Sequence, residues 1–240
     1  MRFMIMHKTN AHWEGGAIPT PELIARVGRL LGQLANTGVL LSAEGLRASS
    51  QGVRLTFSGG RRSVSNGPFE SGNELPAGFS ILRTTSLDEA IEWASRQAEV
   101  LGDGEVDIRP VTEPWEVGAG SRPAAIPTRR YMVLRKASAA TEAGESPAPA
   151  QRAELARLID EAAHANVHLT TETMRPSARG RRYKNSQNGV RVVDGPFTES
   201  KELIGGYVVV SAESLDQAGR LALLYIDAVE ADEVDVRELE

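Results

Sequence analysis

The sequence contains no cysteine among its 240 residues. Disulfide bonds, thiolate nucleophiles and cysteine-ligated zinc sites are therefore excluded, while the redox compartment stays undetermined. Long hydrophobic runs are also missing, since none approaches the ~20 residues that a membrane-spanning helix needs. The apolar start of the chain, Met1 to His7, is too short for a signal-peptide core and is typical of a strand. We expect a cytoplasmic protein with no membrane partner.

A strong excess of one sign of charge is absent as well. The 32 acidic and 27 basic residues leave a formal net charge of −5, so no electrostatic feature points to nucleic acid or to an anionic membrane surface. Motifs for dinucleotides, nucleotide phosphates, a serine nucleophile and zinc proteases do not occur, and we expect neither a cofactor nor a metal. One basic segment, Arg179 to Lys184, is interpreted as the solvated edge of a hairpin.

The sequence does contain an internal repeat. The stretch Asp194 to Tyr207 joins an Asp-Gly-Pro-Phe turn to a charged segment and Gly-Gly-Tyr, and Asn66 to Phe79 has the same construction 128 residues earlier (194 − 66). Other segment pairs keep that spacing: Ser42–Ser49 with Thr170–Ser177, Ser86–Ala90 with Ser214–Ala218, and Glu105–Arg109 with Glu233–Arg237. We therefore predict two domains, copy 1 at 1–117 and copy 2 at 129–240, joined by a Gly/Pro/Ser-rich linker at 118–128.

Each copy carries patterns for the same elements in the same order. A strand precedes a helix whose apolar residues form one stripe in copy 1, at Leu23, Val27, Leu30, Leu31 and Leu34. A second strand begins near Val39, a hairpin with period-two alternation follows at 53–65, and then come a strand, a second helix and a last strand. The order β-α-β, hairpin, β-α-β is that of a ferredoxin-like split unit with an added hairpin.

Such a unit leaves one face of its sheet without helices. A half of this size would expose too much apolar area to water on that face, whereas two copies in one chain can cover each other. We therefore predict an α+β fold in which two ferredoxin-like units, each with an added β-hairpin, pack sheet to sheet as a pseudo-dimeric α/β barrel. The oligomeric state stays open between a monomeric pseudo-dimer and a homodimer.

The repeated motifs resemble those of YCII-related proteins of the DGPF subgroup. The resemblance rests on Asp194–Phe197 with Gly205–Tyr207 in copy 2, and on Asn66–Phe69 with Val106–Pro110 in copy 1. It covers nearly the whole chain twice and implies the dimeric α/β-barrel fold. It implies little about activity, because many members have no assigned activity, some are encoded beside alternative sigma factors, and a few relatives are small-molecule enzymes, including a dehydrochlorinase.

One feature associated with that family does not carry over. YCII proteins are thought to use a His–Asp pair with the histidine on the first helix, and the first helix of copy 1, Pro21 to Thr37, has no histidine. In copy 2, His164 lies near the end of the corresponding helix, where we interpret it as a cation at the helix C-terminus.

The first group of candidate site residues lies in copy 1 alone. His7, His12, Trp13 and Glu14 occur in or just after the first strand, where copy 2 has the bland segment Ala137 to Thr141. Side chains capable of catalysis or binding in only one copy indicate a single asymmetric site. We consider His12 and Glu14 candidate catalytic residues, as base and orienting group, and His7 and Trp13 candidate ligand contacts. The alternative is a packed Trp13 with solvated neighbours. Binding of a metal by His12 and Glu14 with a third ligand from elsewhere is a further alternative, for which their spacing is a weak signal.

The second group occurs at equivalent positions of both copies. Glu44 and Arg47, with their equivalents Glu172 and Arg175, are candidate contacts for a small polar ligand, or they form ion pairs between the copies. Asp194 is a third catalytic candidate, as a general acid or base at a strand end. The alternative for Asp194 is a purely structural Asx-turn.

Three functions remain open at this point, of which the third is a pure assembly module with a large apolar patch on its exterior. The first is the binding of a small polar molecule in a cavity of the barrel, with a link to sigma-factor regulation as a further hypothesis. The second is a cofactor-free lyase or isomerase that acts by proton transfer. Convergence of His12, Glu44 and Asp194 in a closed pocket would favour the enzyme, whereas solvent-facing side chains and a Met- and Leu-filled barrel would favour binding.

We predict that Asp194→Asn leaves the fold intact, because copy 1 already has Asn66 in the equivalent turn. Thermal unfolding followed by circular dichroism measures the effect, with wild type as the reference. A large fall in Tm would contradict the structural interpretation of this turn.

Overall fold

The computed structural model describes residues 1–70, 72–123 and 127–240, so part of the predicted linker, 124–126, lies outside the described residues. Six helices occur in these ranges: α1 (Ala11–Glu14), α2 (Pro21–Asn36), α3 (Leu87–Leu101), α4 (Ala139–Glu142), α5 (Pro149–His164) and α6 (Leu215–Ala228). Twelve strands accompany them: β1 (Arg2–Lys8), β2 (Leu40–Leu46), β3 (Val53–Ser58), β4 (Arg61–Asn66), β5 (Pro76–Thr84), β6 (Gly104–Thr112), β7 (Arg129–Lys136), β8 (His168–Thr173), β9 (Arg181–Lys184), β10 (Arg191–Asp194), β11 (Ile204–Ser211) and β12 (Glu233–Glu238).

Local sequence signals account for where the long helices begin. The Thr20 side chain accepts a hydrogen bond from the Leu23 amide, and Pro21 occupies the first turn of α2. Ser86 and Ser214 cap α3 and α6 in the same way. The apolar stripe predicted for α2 is buried at Leu23, Leu30 and Leu34.

The two sheets do not follow the two copies. One sheet has the order β10-β9-β12-β1-β11-β2, and the other has the order β4-β3-β6-β7-β5-β8. We call the first sheet with α2 and α6 unit A, and the second sheet with α3 and α5 unit B. Each unit thus joins the opening β-α-β of one copy to the hairpin, strand, helix and strand of the other.

The α+β fold of two ferredoxin-like units with added hairpins is confirmed, and the sheets pack face to face. Strand β2 pairs with β6 through Leu46 and Val111, and a bridge from Met174 to Leu239 joins the opposite edges. Eight strands therefore form a closed barrel. Its interior is a buried cluster of Met, Phe, Tyr, Leu, Ile and Val that includes Met4, Met6, Phe79, Met132, Leu134 and Tyr207. Helices α2 and α6 cover the outer face of unit A, and α3 and α5 cover that of unit B.

Beside this apolar interior lie two buried charge clusters. In one, Asp235 is fully buried and forms ion pairs with Lys8 at 3.0 Å and with Arg182 at 2.6 Å. Burial alone favours the neutral acid, but Lys8 and Arg182 hold the pKa of Asp235 below its usual value. The equivalent cluster in the other half joins Asp107 to Arg54 and Lys136.

The Asp-Gly-Pro-Phe turn covers the first of these clusters. The Phe197 ring lies 4.5 Å from the Arg182 guanidinium, and its amide donates a hydrogen bond of 2.9 Å to the Ser177 hydroxyl. A Cβ at Gly195 would lie 1.8 Å from the Ser177 carbonyl oxygen, so only glycine allows this approach. The motif therefore has a structural role, and Phe69 repeats it over Arg54 at 4.7 Å.

The basic segment Arg179 to Lys184 is not simply a solvated edge. Arg182 and Tyr183 are both buried, because β9 lies between β10 and β12 rather than at the rim of the sheet. Arg182 enters the charge cluster, and Tyr183 packs in the apolar layer under the helices of unit A.

We predict that Asp235→Asn lowers the free energy of unfolding by about 3 kcal/mol, because it removes the anion that compensates two buried cations. Asp194→Asn is the matched control, since Asp194 pairs with Arg181 but 75% of its side chain is exposed. That variant should cost at most about 1 kcal/mol. Urea denaturation measures both, and equal losses would show that burial of the cluster does not matter.

Candidate functional site

A cavity of about 550 Å³ lies between α2 and the sheet of unit A. Its volume falls within the range of small-molecule sites. Much of the wall is apolar and comes from α2, β11 and the residue after α6: Leu23, Ile24, Val27, Leu31, Val208 and Val229. The cavity therefore lies on the helix-covered face of the sheet, whereas the barrel interior between the sheets is filled by side chains.

Missing side-chain volume on α2 helps to open this cavity. Gly28 lines it, and a Cβ built there would have no heavy atom within 4 Å. Glycine costs a helix interior roughly 0.5–1 kcal/mol relative to alanine. The equivalent position of α5 in copy 2 is Ala156. The helix of copy 1 thus has a residue of low helix propensity beside the cavity.

The polar end of the cavity is a histidine–tyrosine pair. His7 on β1 and Tyr225 on α6 line the cavity, and the His7 Nδ1 lies 2.9 Å from the Tyr225 hydroxyl. Burial, followed by the charges of Arg109 and Lys8, lowers the pKa of His7 to about 4. Burial also raises the pKa of Tyr225 far above its usual value. Both side chains are therefore neutral at pH 7.

We assign the tautomer of His7 from its hydrogen-bond partners. Within the described residues, the Tyr225 hydroxyl has no other acceptor, so it donates to Nδ1 of His7. The neutral ring then carries its hydrogen on Nε2, to which none of the described residues is hydrogen-bonded. The ring edge with Nε2 borders Gly205, which also lines the cavity. His7 thus offers an unused donor at this end of the cavity.

The Gly-Gly pair of the repeat motif makes room for His7. A Cβ at Gly205 or at Gly206 would lie 2.7 Å from the imidazole ring. Copy 1 has Ala77 in place of Gly205, and copy 2 has Arg135 in place of His7. The extra glycine therefore accompanies the one histidine that needs it.

Glu14 supports the backbone around the cavity. Its carboxylate accepts hydrogen bonds from Arg109 at 3.1 Å and from the Ser49 amide at 2.8 Å. Glu142 makes the equivalent contacts with Arg237 and Ser177. Glu14 thus has a counterpart in copy 2, one residue after the segment Ala137 to Thr141. The two glutamates share a structural role.

Glu44 and Glu172 form ion pairs between the copies. Glu44 pairs with Arg130, which also pairs with Glu113 at 2.8 Å, and Glu172 pairs with Arg2 at 2.5 Å. Burial raises the pKa of Glu44, although Arg130 opposes the shift. Glu44 and Arg130 also line the cavity. The ion-pair alternative is therefore what the structure shows for both glutamates.

The remaining predicted residues separate into two groups. Trp13 and Arg47 line the cavity, whereas Arg175 occupies the equivalent place in unit B and pairs with Glu238. His12 is exposed and its ring packs edge-on against Trp13, with 4.8 Å between the ring centroids. Asp194 is exposed beside Arg181 rather than bonded to its own turn. His12, Glu44 and Asp194 do not converge.

The sequence did not point to Tyr225, Arg109 or Arg130. A comparison of the copies could have indicated Tyr225. Copy 1 has Gln97 at the equivalent position, and copy 2 has Arg135 at the position of His7, so both members of the pair occur in one half only. Among residues 1–70, 72–123 and 127–240, no group of three or more His, Cys, Asp or Glu side chains could hold a metal ion. No described helix combines the length and apolarity needed to cross a bilayer.

We predict that His7 makes the fold sensitive to acid. Its pKa in the folded state, about 4, lies below the unfolded value of 6.5, so the unfolded state alone takes up a proton as the pH falls between these values. The free energy of unfolding should fall by about 1.4 kcal/mol per pH unit in this window, and His7→Gln should remove that contribution. Denaturation at pH 4 to 7 measures it, with His12→Gln as the control for replacing a histidine. Identical pH profiles for both variants would refute the assignment.

Comparison with known proteins agrees with the repeat and the fold. None of the curated proteins matches the chain. The model of the YCII-related domain matches twice, at residues 1–116 and 130–234, which together make up most of the chain. Membership of the DGPF subgroup stays a prediction from the turn motif. The chain belongs to the YCII-related family, of which it carries two domains in tandem.

Proposed function

We propose that this protein binds a small organic molecule in the cavity beneath α2, with the apolar body of the ligand against the helix and a hydrogen-bond acceptor at His7. The observation that carries the proposal is the combination of a wall rich in Leu, Ile and Val with one neutral, unused imidazole donor. A mostly apolar site with few polar groups is the usual form of a small-molecule site. The sequence predicts a small polar ligand, whereas the apolar wall favours an amphipathic one.

Catalysis by proton transfer has weaker support. Of the candidate catalytic residues, His12 and Asp194 are exposed and Glu14 is bonded to Arg109 and Ser49. His7 is the imidazole at the cavity, but its lowered pKa and its protonated Nε2 make it a poor base. A cofactor-free lyase or isomerase therefore stays the alternative, and a link to sigma-factor regulation stays a prediction from family resemblance.

Filling the cavity tests the proposal. Gly28→Leu adds an apolar side chain at the exposed rim of the cavity, which Gly28 lines, whereas Gly32→Leu adds the same side chain one turn further along α2, at an exposed position outside the cavity lining. Both changes raise helix propensity to a similar extent, so they differ only in the cavity. The uncharged fluorescent probe N-phenyl-1-naphthylamine should bind to wild type and Gly32→Leu, and Gly28→Leu should weaken its binding at least about tenfold, because the probe would lose its contacts with the cavity wall.

Fluorescence titration at pH 7 gives the three dissociation constants, and circular dichroism shows whether both variants are folded. Failure of the probe to bind to wild type would refute the proposal. Equal binding to all three proteins would do the same, since the probe would then occupy some other surface.

A further inference from the structure

The two equivalent arginines at the ends of β2 and β8 have different partners. Arg175 forms an ion pair of 3.3 Å with Glu238, which also pairs with Arg179 at 2.8 Å. At the position equivalent to Glu238, the other half has Pro110, which carries no charge. Within the described residues, Arg47 has no carboxylate partner, and its Nε meets only the Gln51 side-chain oxygen at 3.4 Å.

Among the described charged side chains that line the cavity, only Arg47 has no carboxylate partner. Five charged side chains line it: Glu14, Glu44, Arg47, Arg109 and Arg130. Glu14 pairs with Arg109, and Glu44 pairs with Arg130, whose second bond goes to Glu113 behind the lining. Arg47 is the guanidinium left without a counter-charge, and it is only partly buried.

The backbone of Arg47 is held in place from both sides. Its carbonyl oxygen accepts hydrogen bonds from the Arg109 guanidinium at 3.0 and 2.5 Å, and its amide donates to the Pro110 carbonyl at 2.9 Å. The Cα position at the cavity wall is therefore fixed, whereas the guanidinium has one weak contact. The guanidinium can therefore take an external partner without first breaking a strong internal contact.

We propose that the ligand is an organic monocarboxylate whose carboxylate binds to Arg47 while its apolar body fills the cavity. This inference rests on the proposed function and names the ligand class. The planar guanidinium matches a carboxylate with two parallel hydrogen bonds. A single uncompensated cation next to Glu14 and Glu44 suits one negative charge and disfavours a dianion.

The other half of the molecule already shows this pairing. Glu238 lies between Arg179, to which it is hydrogen-bonded, and Arg175, so it supplies a carboxylate near the arginine equivalent to Arg47. We infer that the carboxylate of the ligand takes the corresponding place beside Arg47. In the half that contains Arg47, Pro110 replaces Glu238 and Gln51 replaces Arg179, which leaves Arg47 as the one charged residue of the three.

Competition against N-phenyl-1-naphthylamine tests the assignment. 1-Naphthaleneacetate and the neutral 1-naphthaleneacetamide share the aromatic body and differ in charge. The acetate should displace the probe from wild type about tenfold more tightly than the amide. Arg47→Gln should remove this preference, measured as the ratio of the acetate and amide inhibition constants within that variant. Arg175→Gln is the matched control and should keep the preference.

The outcomes separate the two proposals. If the probe binds and Gly28→Leu blocks it, but the acetate and amide compete equally, the cavity is a ligand site and the monocarboxylate assignment is wrong. Retention of the preference in Arg47→Gln would also overturn it. Stronger displacement by 1-naphthyl phosphate than by the acetate would replace the carboxylate by a dianion and equally contradict the proposal. Arg47→Lys, which keeps the charge, should retain part of the preference, and thermal unfolding confirms that each variant is folded.

Discussion

The structure depends on the exchange of strands between the two copies. Neither copy builds a sheet of its own, since β1 and β2 of copy 1 pair with β11 and β12 of copy 2, and β7 and β8 of copy 2 pair with β5 and β6 of copy 1. The barrel interior is therefore sealed by both copies together. Each helix layer is likewise mixed, because α2 packs with α6 and α3 with α5. The cavity under α2 inherits this mixed origin.

The polar parts of the barrel follow from the same arrangement. Lys8 from copy 1 meets Asp235 and Arg182 from copy 2, and Lys136 from copy 2 meets Asp107 and Arg54 from copy 1. Buried ions of this kind add little net stability but strongly disfavour any pairing that separates them. Because the two clusters have the same Lys, Asp and Arg at equivalent positions, they favour an opening strand paired with a last strand but do not by themselves select the exchanged pairing.

Much of the fold was predictable from the sequence because its signals are local. The stripe on α2, the caps at Thr20 and Ser214 and the hairpin at 53–65 each depend on neighbours in the chain. The exchange was not predictable, since both copies have the same hydrophobic pattern and either could complete a sheet. The site was only partly predictable for a related reason. His7 was a candidate, but its partner Tyr225 is 218 residues away, and the isolation of Arg47 depends on Pro110, a residue without polar chemistry in its side chain.

Covalent fusion of the copies has a consequence for how such a site can change. In a symmetric dimer of two short chains, any substitution appears twice, so a glycine that loosens one helix would loosen both. In this chain Ala156 occupies the position equivalent to Gly28. Arg135 and Gln97 occupy the positions equivalent to His7 and Tyr225. One half is thereby free to specialise in recognition while its twin preserves the scaffold, a division of labour that a homodimer cannot encode.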